Sequence, residues 1–255
     1  MKKSLILLSL CVSTIVLQAC ASSGKTGSYK ANSGAYNAAP SYASANTPID
    51  RAVEKALKNA QTDQERLEIL GKMHAREPNN EGVAISYARS LRDHEQITKS
   101  FRVLEPLPRL EKPSADVLTE MAMTQLALGD FKGAEDSAGR AIEINEKDGR
   151  AYLAMGTAMD AQSKHQDAEI AFRQGLEYTK GDPIPLLNNL ALNLASQGRL
   201  EQALDILEKA KEEAPNRMEI ERNRRIISTL LETAGTPPPA PSAKPAPVPS
   251  AKPAA

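Results

Sequence analysis

Leu187, Leu190 and Leu194 fall on one face of a helix, and Leu204 and Leu207 do the same after Gly198. The two runs read as a pair of antiparallel helices joined by a tight turn. Small residues recur in and around them at fixed intervals. Ala191 is followed by Ala203, Ala210 and Pro215, at offsets of 12, 19 and 24. Gly156 is followed at those offsets by Ala168, Gly175 and Lys180, Ala122 by Ala134, Ala141 and Glu146, and Ala88 by Ser100, Leu107 and Lys112. The anchors 88, 122, 156 and 191 stand 34, 34 and 35 residues apart. The proline column fails in three of the four, but the anchor column and the next hold only Ala, Gly or Ser.

The spacing has a packing cause. Two helices nest closely only where each offers a notch to the other's ridge, so a small residue is needed on both. Gly198 stands between the helices of the last pair, where a helix end favours a positive φ. Gly129 in "ALGDF" and Ser163 in "AQSKH" stand at the same place in the two preceding pairs.

A 34-residue helix–turn–helix unit with these columns resembles the tetratricopeptide repeat. The resemblance implies an all-α, right-handed superhelical solenoid of four units, 81–114, 115–148, 149–183 and 184–217. In the first, Pro106, Pro108 and Pro113 are expected to shorten the second helix. Residues 48–80 read as a degenerate helix pair, 49–60 and 63–77, with Glu54 where a small residue is wanted and a break at Pro78-Asn79-Asn80. After Asn216, Ile220, Ile227 and Leu230/Leu231 share one face, which predicts a capping helix over 218–235.

The two ends have a different composition. Lys2 and Lys3 precede an apolar run, Leu5 to Leu17, of thirteen residues. That run is too short for a bilayer core, which takes about 20, and reads as an export signal over 1–19. Leu17-Gln18-Ala19-Cys20 resembles the lipobox of bacterial lipoproteins. This implies cleavage before Cys20, acyl chains on that residue and, with Ala21 and Ser22 following, an outer-membrane anchor with the chain facing the periplasm. The nearby "SGKTG" is not a phosphate loop, because Ala19 stands where the first Gly is required and no helix pattern follows. Once the signal leaves with Cys11, neither a disulfide nor a cysteine metal site can form.

Residues 20–47, rich in Ser, Ala, Gly and Asn, read as a flexible tether. Residues 236–255 repeat "PSAKPA" at 241–246 and 249–254 and favour an extended, proline-type helix. These ends carry six Lys and no acid, so 48–235 holds 26 basic and 32 acidic residues, a net of −6. Such a surface lacks the basic face that nucleic acid requires.

Nothing in the sequence points to catalysis, to a small-molecule substrate or to a cofactor other than the covalent lipid. His74, His94 and His165 are scattered in polar contexts, and no Gly-x-Ser-x-Gly elbow occurs. Binding is the expectation. The first helices of a stacked solenoid line its inner face, and residues one turn apart on each are expected to point into the groove. The expected lining is Ile85, Arg89 and Arg92; Thr119, Met123 and Leu126; Leu153, Thr157 and Asp160; and Asn188, Leu192 and Ala195. Met123, Leu126, Leu153 and Leu192 would form an apolar strip for a partner helix or peptide, and Asn188 or Asn189 would bond its backbone. The Lys/Arg ladder with which some such repeats grip a terminal carboxylate is missing.

Finally, "MGTAMDAQSKHQDAEIAFRQGL" (155–176), "LLNNLALNLASQGRLEQALDILEKA" (186–210) and the "R-x-x-x-x-x-R-N" of "NRMEIERNRRI" resemble the TadD-type lipoprotein of tight-adherence, or Flp, pilus assembly. Asn189-Leu190-Ala191 departs from that family's usual Asn-Leu-Gly. The resemblance implies an outer-membrane protein that helps assemble or place a secretin pore by binding it. A type IV pilus pilotin, or an envelope scaffold for peptidoglycan-synthesis or outer-membrane assembly proteins, would share these features.

Overall fold

A computed structural model describes residue 55, residues 57–109 and residues 111–234. The expected signal, Cys20, the tether, Glu54 and the proline-rich tail lie outside the described residues. From residue 63 onward, ten α-helices follow one another among the described residues: α1 (Asp63–Arg76), α2 (Glu81–Asp93), α3 (Ile97–Leu104), α4 (Ala115–Leu128), α5 (Phe131–Ile144), α6 (Gly149–Ala161), α7 (His165–Tyr178), α8 (Ile184–Ser196), α9 (Leu200–Glu213) and α10 (Met218–Ala234). No strand occurs among the described residues.

The helix starts are chemically marked. Thr62, Asn80, Ser114, Asp130 and Asp148 each accept a backbone N–H from the first turn that would otherwise lack a partner. Pro185 sits in the first turn of α8, where its missing N–H costs nothing. The turn inside each pair is left-handed, with φ of 60° at Glu95, 79° at Gly129, 63° at Ser163 and 77° at Gly198. A Cβ in this region costs about 1–2 kcal/mol, so Ser163→Gly is expected to stabilise the fold by about 1 kcal/mol in chemical denaturation. An unchanged midpoint would mean that Ser163 carries no strain.

The small-residue columns are where the helices touch. Ala88, Ala122 and Ala191 on the first helices, and Ser100, Ala134, Ala168 and Ala203 on the second, are fully buried. At Gly156 an added Cβ would lie 2.6 Å from the Phe172 ring, and at Gly175 it would lie 2.7 Å from a Leu186 methyl. Glycine is required at both by close approach. Each second helix packs on its own first helix and on the first helix of the next unit, which makes a continuous solenoid.

α3 is the exception in length. It ends at Leu104, just before Pro106, whose ring and missing N–H cannot continue a helix. A 3-10 turn, Leu107–Arg109, replaces the rest. Leu107 is buried there in the column that holds Ala141, Gly175 and Ala210 in the later units. The larger side chain fills space that a full-length helix would have occupied.

Two seams between units are tied at the turn edge by the same chemistry. Glu135 of α5 accepts from Gln162 at 2.7 Å and from Lys164 at 2.7 Å in the next unit. Glu169 of α7 accepts from Gln197 at 3.4 Å and from Arg199 at 2.5 Å. α10 extends the stack as a first-type helix, the last helix among the described residues. Asn223 donates to Asn188 and Arg217 pairs with Asp182, both 35 residues apart, so α10 runs parallel to α8. Its flank against α9 carries Glu221 and Arg224, paired with each other and with Lys211 and Glu208 of α9, and Arg225 also reaches Glu221.

A candidate partner-binding face

Helices α2, α4, α6, α8 and α10 present the inner face. Its first half is built around Glu120, which has no exposed surface. Arg89 donates to Glu120 through Nε at 3.3 Å and Nη2 at 2.9 Å, and Arg150 donates at 3.1 Å. Arg92 donates to the other carboxylate oxygen and also to Thr124 at 3.4 Å. Three units thus meet at one carboxylate. Burial alone would raise this carboxyl, but Arg92, Arg89 and Arg150 more than reverse that and hold it at about 2. Arg150 also lies 3.9 Å from the carboxylate of Asp116. The cluster is answered by acids within itself and offers no strong net positive charge.

The second half is amide and aliphatic. Asn189 donates to Thr157 at 3.3 Å, Asn223 to Asn188 at 2.7 Å, and Asn193 to Asp160 at 2.7 Å. His165 meets Asp160 at 2.7 Å and Ser196 at 3.4 Å, both through Nδ1. A hydrolytic relay needs the acid and the hydroxyl on opposite ring nitrogens, so these three groups do not form one.

The structure redraws the expected lining. Ile85, Thr119, Leu153, Thr157, Asn189 and Ala195 are buried, packed between neighbouring helices rather than open to a partner. Thr119 is turned to the loop before α6, where it donates to Asp148 at 2.9 Å. Asn188 and Asn189 spend the bonds named above inside the fold. Arg89 and Arg92 hold Glu120, and Asp160 holds Asn193 and His165. Met123, Leu126 and Leu192 remain half-buried on the face, and Ile226 of α10 is half-buried as well.

Glu120, Arg150, Asn193, Asn223 and Ile226 had escaped sequence reasoning. Glu120 carried a legible signal, a lone acid inside the apolar run "VLTEMAM". His74 also departs from expectation. It packs against Tyr87 with ring centroids 5.7 Å apart, its Nδ1 is buried without a partner, and burial lowers its pKa. Among the described residues no cluster of His, Cys, Asp or Glu fits a metal ion, and no helix is long and apolar enough to cross a membrane.

The fold defines a class, the superhelical tetratricopeptide solenoid. Residues 184–217 match the tetratricopeptide repeat family model. Among solved structures the chain is similar to a thermophilic TPR protein from Thermus thermophilus, at 17% identity and a TM-score of 0.60, over 70% of this chain and 96% of that one. It is similar to YrrB, described as a TPR protein with an unusual peptide-binding site, at 18% identity and a TM-score of 0.51, over 70% and 98%. It is also similar to MamA, at 18% identity and a TM-score of 0.51, over 64% and 89%. At such identities the likeness establishes the fold alone. No curated protein sequence matches the chain.

Proposed function

We propose that this protein is a non-enzymatic lipoprotein, anchored through Cys20 in the outer membrane, that binds a protein partner on the inner face of its solenoid. The observation that carries the reading is the half-open strip Met123, Leu126, Leu192 and Ile226, aliphatic side chains left on a face whose polar groups satisfy one another. Apolar area of this kind suits the apolar side of a partner helix or an extended segment. The peptide-binding site described for YrrB supports a peptide-like ligand. "LQAC" at 17–20 supports the anchor, and the TadD-like stretches support a secretin-type machine of the tight-adherence pilus as the client.

Affinity capture of the tagged full-length protein from detergent-solubilised membranes tests the client. Recovery of a secretin, identified by mass spectrometry, is the expected outcome. Recovery of peptidoglycan-synthesis or outer-membrane assembly proteins without a secretin would replace the pilus reading with a scaffold.

A further inference from the structure

The seam between α1 and α2 repeats the geometry of the seam between α5 and α6 with different side chains. α1 and α5 each have 14 residues and start at Asp63 and Phe131, 68 residues apart. A Cβ at Gly71 would lie 3.3 Å from the Tyr87 ring, and one at Gly139 would lie 3.8 Å from the Met155 methyl, so the two seams are in register. In that register His74 stands where Ile142 stands, and Tyr87 where Met155 stands. Ile142 and Met155 both pack on the core of their unit. At α1 and α2 an imidazole and a phenol replace this aliphatic pair.

The imidazole has no polar partner there. Its ring lies 5.7 Å from that of Tyr87, and its Nδ1 is buried without a hydrogen bond. Such a site accepts the neutral ring far more readily than the charged one. From α2 the titratable group facing it is the Tyr87 phenol, since Glu81 is turned to Ser114, and Arg89 and Arg92 to Glu120. On α1 the nearest charged residues in sequence, Lys72 and Arg76, are exposed, and Glu77 beyond its end accepts from Asn80. No charge is among the causes that act on the ring, and burial lowers its pKa from the ordinary 6.5.

Little else holds α1 in place. Where Glu135 and Lys164 tie α5 to the next unit, Leu67 and Gln96 stand. Among the described residues, the side-chain hydrogen bonds of α1 lie at its own start, between Glu65 and the preceding Gln61 and Thr62, and no ion pair joins it to α2 or α3. A groove of about 430 Å³ opens beside the joint, lined by Gln64, Leu67 and Gly71 of α1, Tyr87 and Leu91 of α2, and Gln96.

We propose that the α1–α2 joint is a pH-sensitive latch, closed while His74 is neutral and released when His74 takes up a proton, with α4–α9 staying folded. As pH falls, the released α1 binds the proton first, because its imidazole is back in water. The hold on α1 is complete above about pH 6.5 and is lost as pH falls from there through the lower pKa of the docked ring. The latch does not depend on what the inner face binds.

Hydrogen–deuterium exchange of the full-length chain between pH 7.5 and 5.0, read by mass spectrometry and corrected for the intrinsic pH dependence of exchange, tests the latch. Peptides from 63–76 are expected to lose protection at least about fivefold, while peptides from 115–213 keep theirs within about twofold. His74→Ile, which matches position 142, should hold the protection of 63–76 constant across the range. Equal loss in wild type and variant, no loss in either, or a loss shared by 115–213 would overturn the proposal. A second measurement needs no variant. The His74 imidazole of the wild-type chain, followed by NMR, should titrate with a midpoint below 6.5, and a midpoint at or above that value would overturn the proposal as well.

Discussion

Glu120→Gln is expected to destabilise the solenoid by about 3 kcal/mol, because removing one member of a buried ionic cluster strands the rest. Arg89, Arg92 and Arg150 would keep their positions in three successive units while losing the carboxylate that all of them hold. For a chain of this size the melting temperature should fall by roughly 10 °C. Asp116→Asn, which removes only the 3.9 Å pair to Arg150 at an exposed site, should cost less than about 1 kcal/mol. The same group sets an acid limit. Its folded carboxyl titrates at about 2, against 4.5 when unperturbed, so the unfolded chain takes up the proton first as pH falls. The stability it supplies is complete above about pH 4.5 and drains away between about 4.5 and 2. Glu120→Gln should flatten this part of the pH–stability curve. A loss below about 1 kcal/mol, with an unchanged acid limb, would remove Glu120 as the joint between the units.

Phe172→Ala is expected to cost about 3–5 kcal/mol, since the ring is fully buried and the neighbours cannot close the void. The reason is specific to the third unit. Phe172 stands where Leu104 and Leu207 stand in the first and last units, and it lies over Gly156, where those units have Ala88 and Ala191. Bulk has moved from one helix to the other. Gly156→Ala alone should therefore be destabilising despite alanine's better helix propensity, as its methyl meets the ring. Gly156→Ala combined with Phe172→Leu recreates the pairing of the first and last units. The double variant should be more stable than the sum of the two single losses predicts, by at least about 1 kcal/mol. Strict additivity in chemical denaturation would show that the two positions do not share this space.

The small columns were legible because they answer a local steric requirement repeated four times, and 88, 122, 156 and 191 could be aligned by eye. The turns were legible at Gly129 and Gly198 for the same reason. Glu95 was not, since a glutamate carries no sign of a positive φ. The shortened α3 was legible from Pro106, but Leu107 filling the lost helix's place was not. The inner face was read only in outline. Helical spacing located the helices that form it, yet it cannot tell a side chain open to solvent from one wedged against the next unit, which is how Thr119, Thr157 and Asn189 came to be expected as ligand contacts. That distinction depends on the tilt between units, which is set by the whole stack.

The most direct test of a binding role is capture with and without the apolar strip. Wild-type chain and Met123→Glu/Leu192→Glu, both full length, tagged and matched in helical content by circular dichroism, are passed over the same solubilised membrane extract. The account predicts that the wild type retains a discrete protein that the double variant loses by at least tenfold. Equal retention by the two would contradict it.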